Sequence, residues 1–217
     1  SHSHNTRYNS GEIRVSALKI TLKETIMSNN APLTREDWIN AAYDLLITSG
    51  IDSIRIETLA KNLKITRGSF YHHFSGREDL MQAVMADWRS KATENIIYRL
   101  DHVKSDPKEQ LFQLFQLPFR GKRARDIASI ELSIRAWARR EPRVQKILTE
   151  VDNYRLKYMR SIIPARRSSE DEAHERAFLF YSTILSFSLL KAPTWQKSAD
   201  ENLESLFSLI FPDKSQK

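Results

Sequence analysis

Apolar residues return along this 217-residue chain at the spacing of helix faces. Ile39, Ala42, Tyr43 and Leu46 share one face of a first helix. Thr34 is placed to cap it, Asp37 stands at the capping-box position, and Gly50 supplies a stop. Ile56, Leu59, Ala60 and Leu63 recur at i, i+3, i+4 and i+7, the stripe of a short amphipathic helix. A third segment within 65–80 is shorter still. Gly68, Phe70, Tyr71 and Phe74 carry its inward and close-packed positions, while Thr66, Arg67, Ser69, Tyr71 and His72 are left to face a partner. Two short helices with a tight turn between them, over about residues 55–74, describe a helix-turn-helix. From Arg77 to about His102, Leu80, Val84, Trp88, Ala92 and Ile96 stand at steps of four and predict one longer helix. Five more follow: about Lys108 to Leu117, Ala124 to Arg139, Pro142 to Ile163, Asp171 to Leu190 and Ala199 to Phe211. Arg166 to Glu170 reads as a loop.

Composition agrees with an all-α fold. Glycine occurs 5 times and proline 7 times, and Leu, Ile, Ala, Glu, Lys and Arg are abundant. With 0 cysteines, disulfides and thiolate metal sites are excluded, which suits a cytoplasmic location. No apolar run reaches the ~18 residues of a membrane span. Residues 1–30 read as a tag or a disordered N-terminal extension, with Ser1-His2-Ser3-His4 resembling an expression scar.

Charge sharpens the picture in two places. The chain carries a formal +7. Arg55 to Arg77 holds five basic residues and one acidic, a net +4. Phe119 to Lys146 holds nine basic and three acidic, a net +6. Asp and Glu are absent from 58–77, so no acid within that stretch would repel a polyanion. The second stretch supports a rival reading: a helical interaction protein using a basic patch at 119–146 for a membrane or protein partner. Arg135-Ala136-Trp137-Ala138-Arg139-Arg140 within it either holds an anion or is a basic surface stripe.

The chemistry of 55–77 points to DNA. Arg67 has the fork that takes guanine O6 and N7 together, and Thr66 and Ser69 reach either a base edge or a phosphate. Tyr71 and His72 donate to phosphates, which set register. Gly68 permits close approach of the groove wall. Arg77, at the start of the fourth helix, combines a cation with outward amides as a phosphate clamp. Phe70 and Phe74 belong to the core. His72 and His73 point about 100° apart on a helix and cannot chelate one ion. No catalytic motif or metal set is present, no cofactor is implied, and Glu131 and Glu150 read as solvated helix charges.

These residues resemble the tetracycline-repressor (TetR) family of bacterial transcription regulators. The matching pattern is Ala41-Ala42 and Leu45-Leu46, then Gly50, Leu59-Ala60, Thr66 through Phe74, and Arg77-Glu78-Asp79-Leu80. It covers about residues 33–88. Two positions depart from the family pattern. Arg55 stands where a Ser or Thr usually caps the second helix, passing that cap to Ser53 or water while itself remaining able to bind phosphate. Lys64 replaces a turn glycine, at the cost of strain if its φ is positive.

The resemblance implies a helix-turn-helix DNA-binding domain at 31–80 and a larger ligand-binding and dimerisation domain at 81–217. It implies a repressor that binds a pseudo-palindromic double-stranded operator and is released by a small-molecule inducer. The inducer pocket would draw on Phe115, Trp137, Tyr154, Tyr158, Phe178 and Tyr181. The last two long helices would form a four-helix homodimer interface, with Ile184, Leu185, Leu189, Leu206, Phe207 and Ile210 at its centre, because their apolar stripes look too broad for one protomer.

Overall fold

A computed structural model describes residues 32–103, 105–117, 121–163, 170–190 and 199–211, and every regular element among them is helical. The expected extension at 1–30, nearly all of the expected loop at 166–170 and the side chain of Leu189 lie outside the described residues. The elements in chain order are α1 (Arg35–Ser49), a 3₁₀ turn (Ile51–Ser53), α2 (Ile56–Asn62), α3 (Arg67–Tyr71) and α4 (Arg77–Arg89). A π turn (Ser90–Glu94) leads into α5 (Asn95–His102), followed by α6 (Pro107–Gln116), α7 (Gly121–Ala138), α8 (Pro142–Ile162), α9 (Glu170–Leu189) and α10 (Ala199–Ile210).

Local chemistry explains most of these boundaries. At α1 the Thr34 hydroxyl accepts from the Asp37 amide at 3.3 Å while the Asp37 carboxylate accepts from the Thr34 amide at 2.7 Å, a complete capping box. Gly50 ends α1 with φ of 76°, where a side chain would be strained. Pro107 and Pro142 open α6 and α8 at positions whose N–H would have no partner inside the helix.

Two cores hold the described residues together. In the first, α1 to α4 bury Trp38, Leu46, Ile54, Leu59, Phe70, Phe74, Leu80 and Val84, and α7 and α8 add Ile134, Val144, Leu148 and Val151. This core takes in residues on both sides of position 80, so packing does not break there. The second core joins α5, α6, α8, α9 and α10 through Ile97, Leu111, Phe115, Tyr158, Phe180, Phe207 and Phe211. Its centre is aromatic, with Phe115 stacked on Phe180 at 5.6 Å and the Phe207 ring 5.1 Å from Phe211.

The long helix expected from Arg77 to His102 is interrupted. The apolar step of four runs through Leu80, Val84 and Trp88, then lengthens to five, so Thr93, Ile97 and Leu100 become the buried positions rather than Ala92 and Ile96. The π turn supplies the extra residue. Its cause lies elsewhere in the chain. Arg155 on α8 donates from Nε to the Thr93 hydroxyl at 2.8 Å and from Nη2 to the Ala92 carbonyl at 3.3 Å.

The broad stripes of α9 and α10 divide between inside and outside. Phe207 was expected at a subunit interface, but it is 5 % exposed and lies within the protomer's own core. Ile184, Leu185, Leu206 and Ile210 are half-buried against that same core. Among the described side chains of these helices, Phe178, Leu179 and Leu209 face solvent, the last 77 % exposed.

Candidate nucleic-acid interface

The turn between α2 and α3 is built on backbone hydrogen bonds. Ile65 N–H reaches the Ala60 carbonyl at 3.0 Å and Lys64 N–H reaches Lys61 at 3.1 Å. Together they form a Schellman motif, which requires a left-handed residue after the helix cap. That residue is Lys64, with φ of 57°. The turn therefore keeps its geometry without glycine and carries the strain in Lys64.

Helix α3 has five residues, too few to persist unaided. It is held from below. Phe70 meets Trp38 edge to face at 5.1 Å and stacks with Phe74 at 5.4 Å. With Phe70 fully buried, helical geometry turns its neighbours outward. Thr66, Arg67, Gly68, Tyr71 and His72 are exposed and Ser69 is half-buried. Tyr71 keeps 61 % of its surface, so its hydroxyl stands clear of the core. A Cβ placed on Gly68 would meet nothing nearer than the Thr66 hydroxyl at 3.7 Å. No packing inside the protomer demands a glycine there.

Around this face Arg77, Ser53 and Glu57 make contacts that the residue pattern did not show. Arg77, expected as a phosphate clamp, is exposed and turns part of its side chain back on the protomer. It donates from Nε to the Ile54 carbonyl at 2.6 Å and from Nη2 to Ile51 at 3.2 Å, tying α4 to the 3₁₀ turn. The Ile51 carbonyl also accepts from the Ile54 amide at 3.2 Å, so Arg77 adds a second bond there. Arg55 takes the N-cap position of α2 and supplies no side-chain cap, and Ser53 does not take over, since its hydroxyl donates to the Gly50 carbonyl at 2.6 Å. Glu57 lies just outside the acid-free stretch, yet it accepts from Arg67 Nη1 at 2.9 Å. A hydrogen bond to its own backbone, then the one from Arg67, holds its carboxyl below the usual range.

The residues expected to line an inducer pocket converge only in part, with Phe115, Tyr158 and Tyr181 sharing the second core. Phe115 and Tyr158 are buried in the second core, whereas Trp137 packs on the first. Tyr154 borders an open groove of about 550 Å³ with Arg89, Glu94, Tyr98 and Asp101. Phe178 borders another of about 390 Å³ with Lys157, Arg160 and His174. Aromatics at helical spacing were drawn into different layers because each helix buries its own stripe. Burial pushes the Tyr158 hydroxyl up from its ordinary value, and Asp101 adds to the effect.

Tyr181 belongs to a charge network that the residue pattern did not reveal. Glu131, read as solvated, is 5 % exposed. Arg155 Nη1 donates to it at 3.1 Å and Arg135 Nε at 2.9 Å. Arg135 also grips Asp152 through both Nη atoms, at 3.0 and 2.7 Å, and the Tyr181 hydroxyl donates to Asp152 at 2.6 Å. Burial disfavours both guanidinium charges, but the carboxylates outweigh it and raise both pKa values. The Glu131–Arg135 spacing of four was the sole sequence sign.

Among the described residues no group of His, Cys, Asp and Glu gathers to hold a metal, and no helix is long and apolar enough to cross a membrane.

A helix-turn-helix seated on a helical body is the arrangement these elements define. Residues 39–84 match the model of the bacterial regulatory proteins, tetR family. HTH-type transcriptional regulator SrpR of Pseudomonas putida is 34 % identical over 53 residues, which is 24 % of this chain and 25 % of SrpR. The chain thus matches a quarter of that relative's length. The fold continues where sequence similarity stops. A transcriptional regulator from Rhodococcus sp. Rha1 superposes with a TM-score of 0.65 at 20 % identity, covering 82 % of this chain and 94 % of that one. AibR, solved with isovaleryl coenzyme A and operator DNA, gives 0.62 at 15 % identity, over 82 % and 98 %.

Proposed function

We propose that the chain is a sequence-specific DNA-binding transcription regulator, not an enzyme, that works in the cytoplasm as a homodimer. The observation that carries this reading is the outer face of α3. Five of its polar or glycyl positions are exposed over a fully buried Phe70, and Gly68 is small for no internal reason. Arg67 reads guanine in the major groove, Thr66 and Ser69 touch base edges or phosphates, and Tyr71, His72 and Arg55 fix register on the backbone.

The dimer presents two copies of α3 to a pseudo-palindrome through α9 and α10, with Phe178, Leu179 and Leu209 as the apolar contact. A small ligand in the larger helical part shifts α4, moves the two recognition helices off a one-turn spacing and releases the operator, making the protein a repressor. AibR, of the same fold, was solved with both an acyl-coenzyme A and DNA, which supports a ligand-responsive regulator.

Electrophoretic retardation of the protein's own upstream region, with random DNA as competitor, tests the reading. Tighter binding of the upstream region is expected. Equal affinity for both DNAs would reduce the protein to a general polyanion binder. Replacing Leu209 by Glu is expected to give monomers by light scattering and to lower operator affinity by orders of magnitude, since each half-site would then meet its own entropic cost.

A further inference from the structure

We propose that Glu57 is a specificity-determining residue, which positions the Arg67 guanidinium for a single base pair in each half-site. The inference rests on the reading of the chain as a sequence-specific regulator. Glu57 lies on α2 and Arg67 begins α3, so their ion pair crosses the turn of the helix-turn-helix. Both side chains are open, at 64 % and 66 %, and the contact at 2.9 Å uses Arg67 Nη1 alone. Among the described residues nothing engages the Nε–Nη2 edge, and a guanidinium edge of two N–H groups is what guanine O6 and N7 accept together.

Two physical effects follow. A long, flexible side chain held at one nitrogen loses less rotamer freedom when the other edge engages a base. Glu57 is also the one acid between Arg55 and Arg77. Its charge opposes phosphate wherever Arg67 finds no guanine, so the pair weakens nonspecific binding more than cognate binding. As an exposed ion pair it contributes little to folding in the free protein.

The test is selection of bound duplexes from a random-sequence library by the full chain, by E57Q, by R67A and by the double variant, with thermal unfolding of each. Wild type is expected to enrich one guanine per half-site that R67A loses. E57Q should lower that preference about tenfold, while affinity for random DNA rises and the unfolding midpoint stays put. The double variant should lose no more than R67A. If E57Q keeps the guanine preference and both affinities rise together, Glu57 merely repels the backbone and the assignment is overturned. If wild type enriches no sequence, the regulator reading falls and takes this one with it, a result distinct from the first.

Discussion

Two stretches of this chain carry a similar excess of positive charge, and the fold treats them in opposite ways. Around the helix-turn-helix, Lys61 and Lys64 are exposed with no carboxylate partner among the described residues, and Arg67 keeps one edge free. In the region from 119 to 146, Arg135 is bound to Glu131 and Asp152, Arg140 to Asp52 and Arg143 to Glu78. The second region has the larger net charge by count, and three of its cations are taken up by carboxylates, while Arg125, Arg139 and Lys146 stay exposed. Basic residues in it serve to join elements: Arg140 and Arg143 reach the 3₁₀ turn and the start of α4, which neighbour the recognition helix. Charge summed along a sequence describes capacity, and acids brought from far along the chain decide how much stays available.

The contrast is most exposed to test at Arg155. It is the buried extreme of the second kind, with a side chain 11 % exposed against the buried Glu131. Arg155→Ala should destabilise the fold by up to ~3–5 kcal/mol in urea titration, because it leaves the buried Glu131 with Arg135 alone and removes both bonds that Arg155 gives the π turn. Replacing Arg155 and Glu131 together by Met should recover most of that loss. A cost under about 1 kcal/mol for Arg155→Ala would show that water already reaches the network.

Arg77→Ala comes next. Its two charged hydrogen bonds to carbonyls predict a stability loss of roughly 1.5–3 kcal/mol with an unchanged salt slope for DNA binding. A salt slope lower by about one unit, at unchanged stability, would return Arg77 to the phosphate contacts.

Smaller effects separate strain from surface charge. Relief of a left-handed non-glycine residue makes Lys64→Gly stabilising by about 0.5–1 kcal/mol in thermal unfolding, after allowing for the added freedom of the unfolded chain. It should also weaken binding to all DNAs alike by removing one exposed cation. Arg143→Gln should alter stability by no more than ~0.5 kcal/mol, since that pair is open to solvent on both sides. A larger loss would mean that this contact helps fix the recognition unit on the helices behind it.

The sequence by itself determined most of the helices, the first capping box, the stop at Gly50 and the outward face of α3. Each depends on neighbours within about four residues, so periodicity and capping chemistry expose them. The strained turn at Lys64 was legible for the same reason. Tertiary structure decided the rest. Whether Arg77 faces phosphate or two carbonyls depends on a turn more than twenty residues upstream. The place of Phe207, inside a protomer or between two, depends on how many aromatic faces α6 and α9 bring to it. Glu131 became buried, and the helix from Arg77 was broken at Ser90, because α8 brings Arg155 against both. A local pattern states what each residue offers, and the partner that takes up the offer arrives only when distant segments pack.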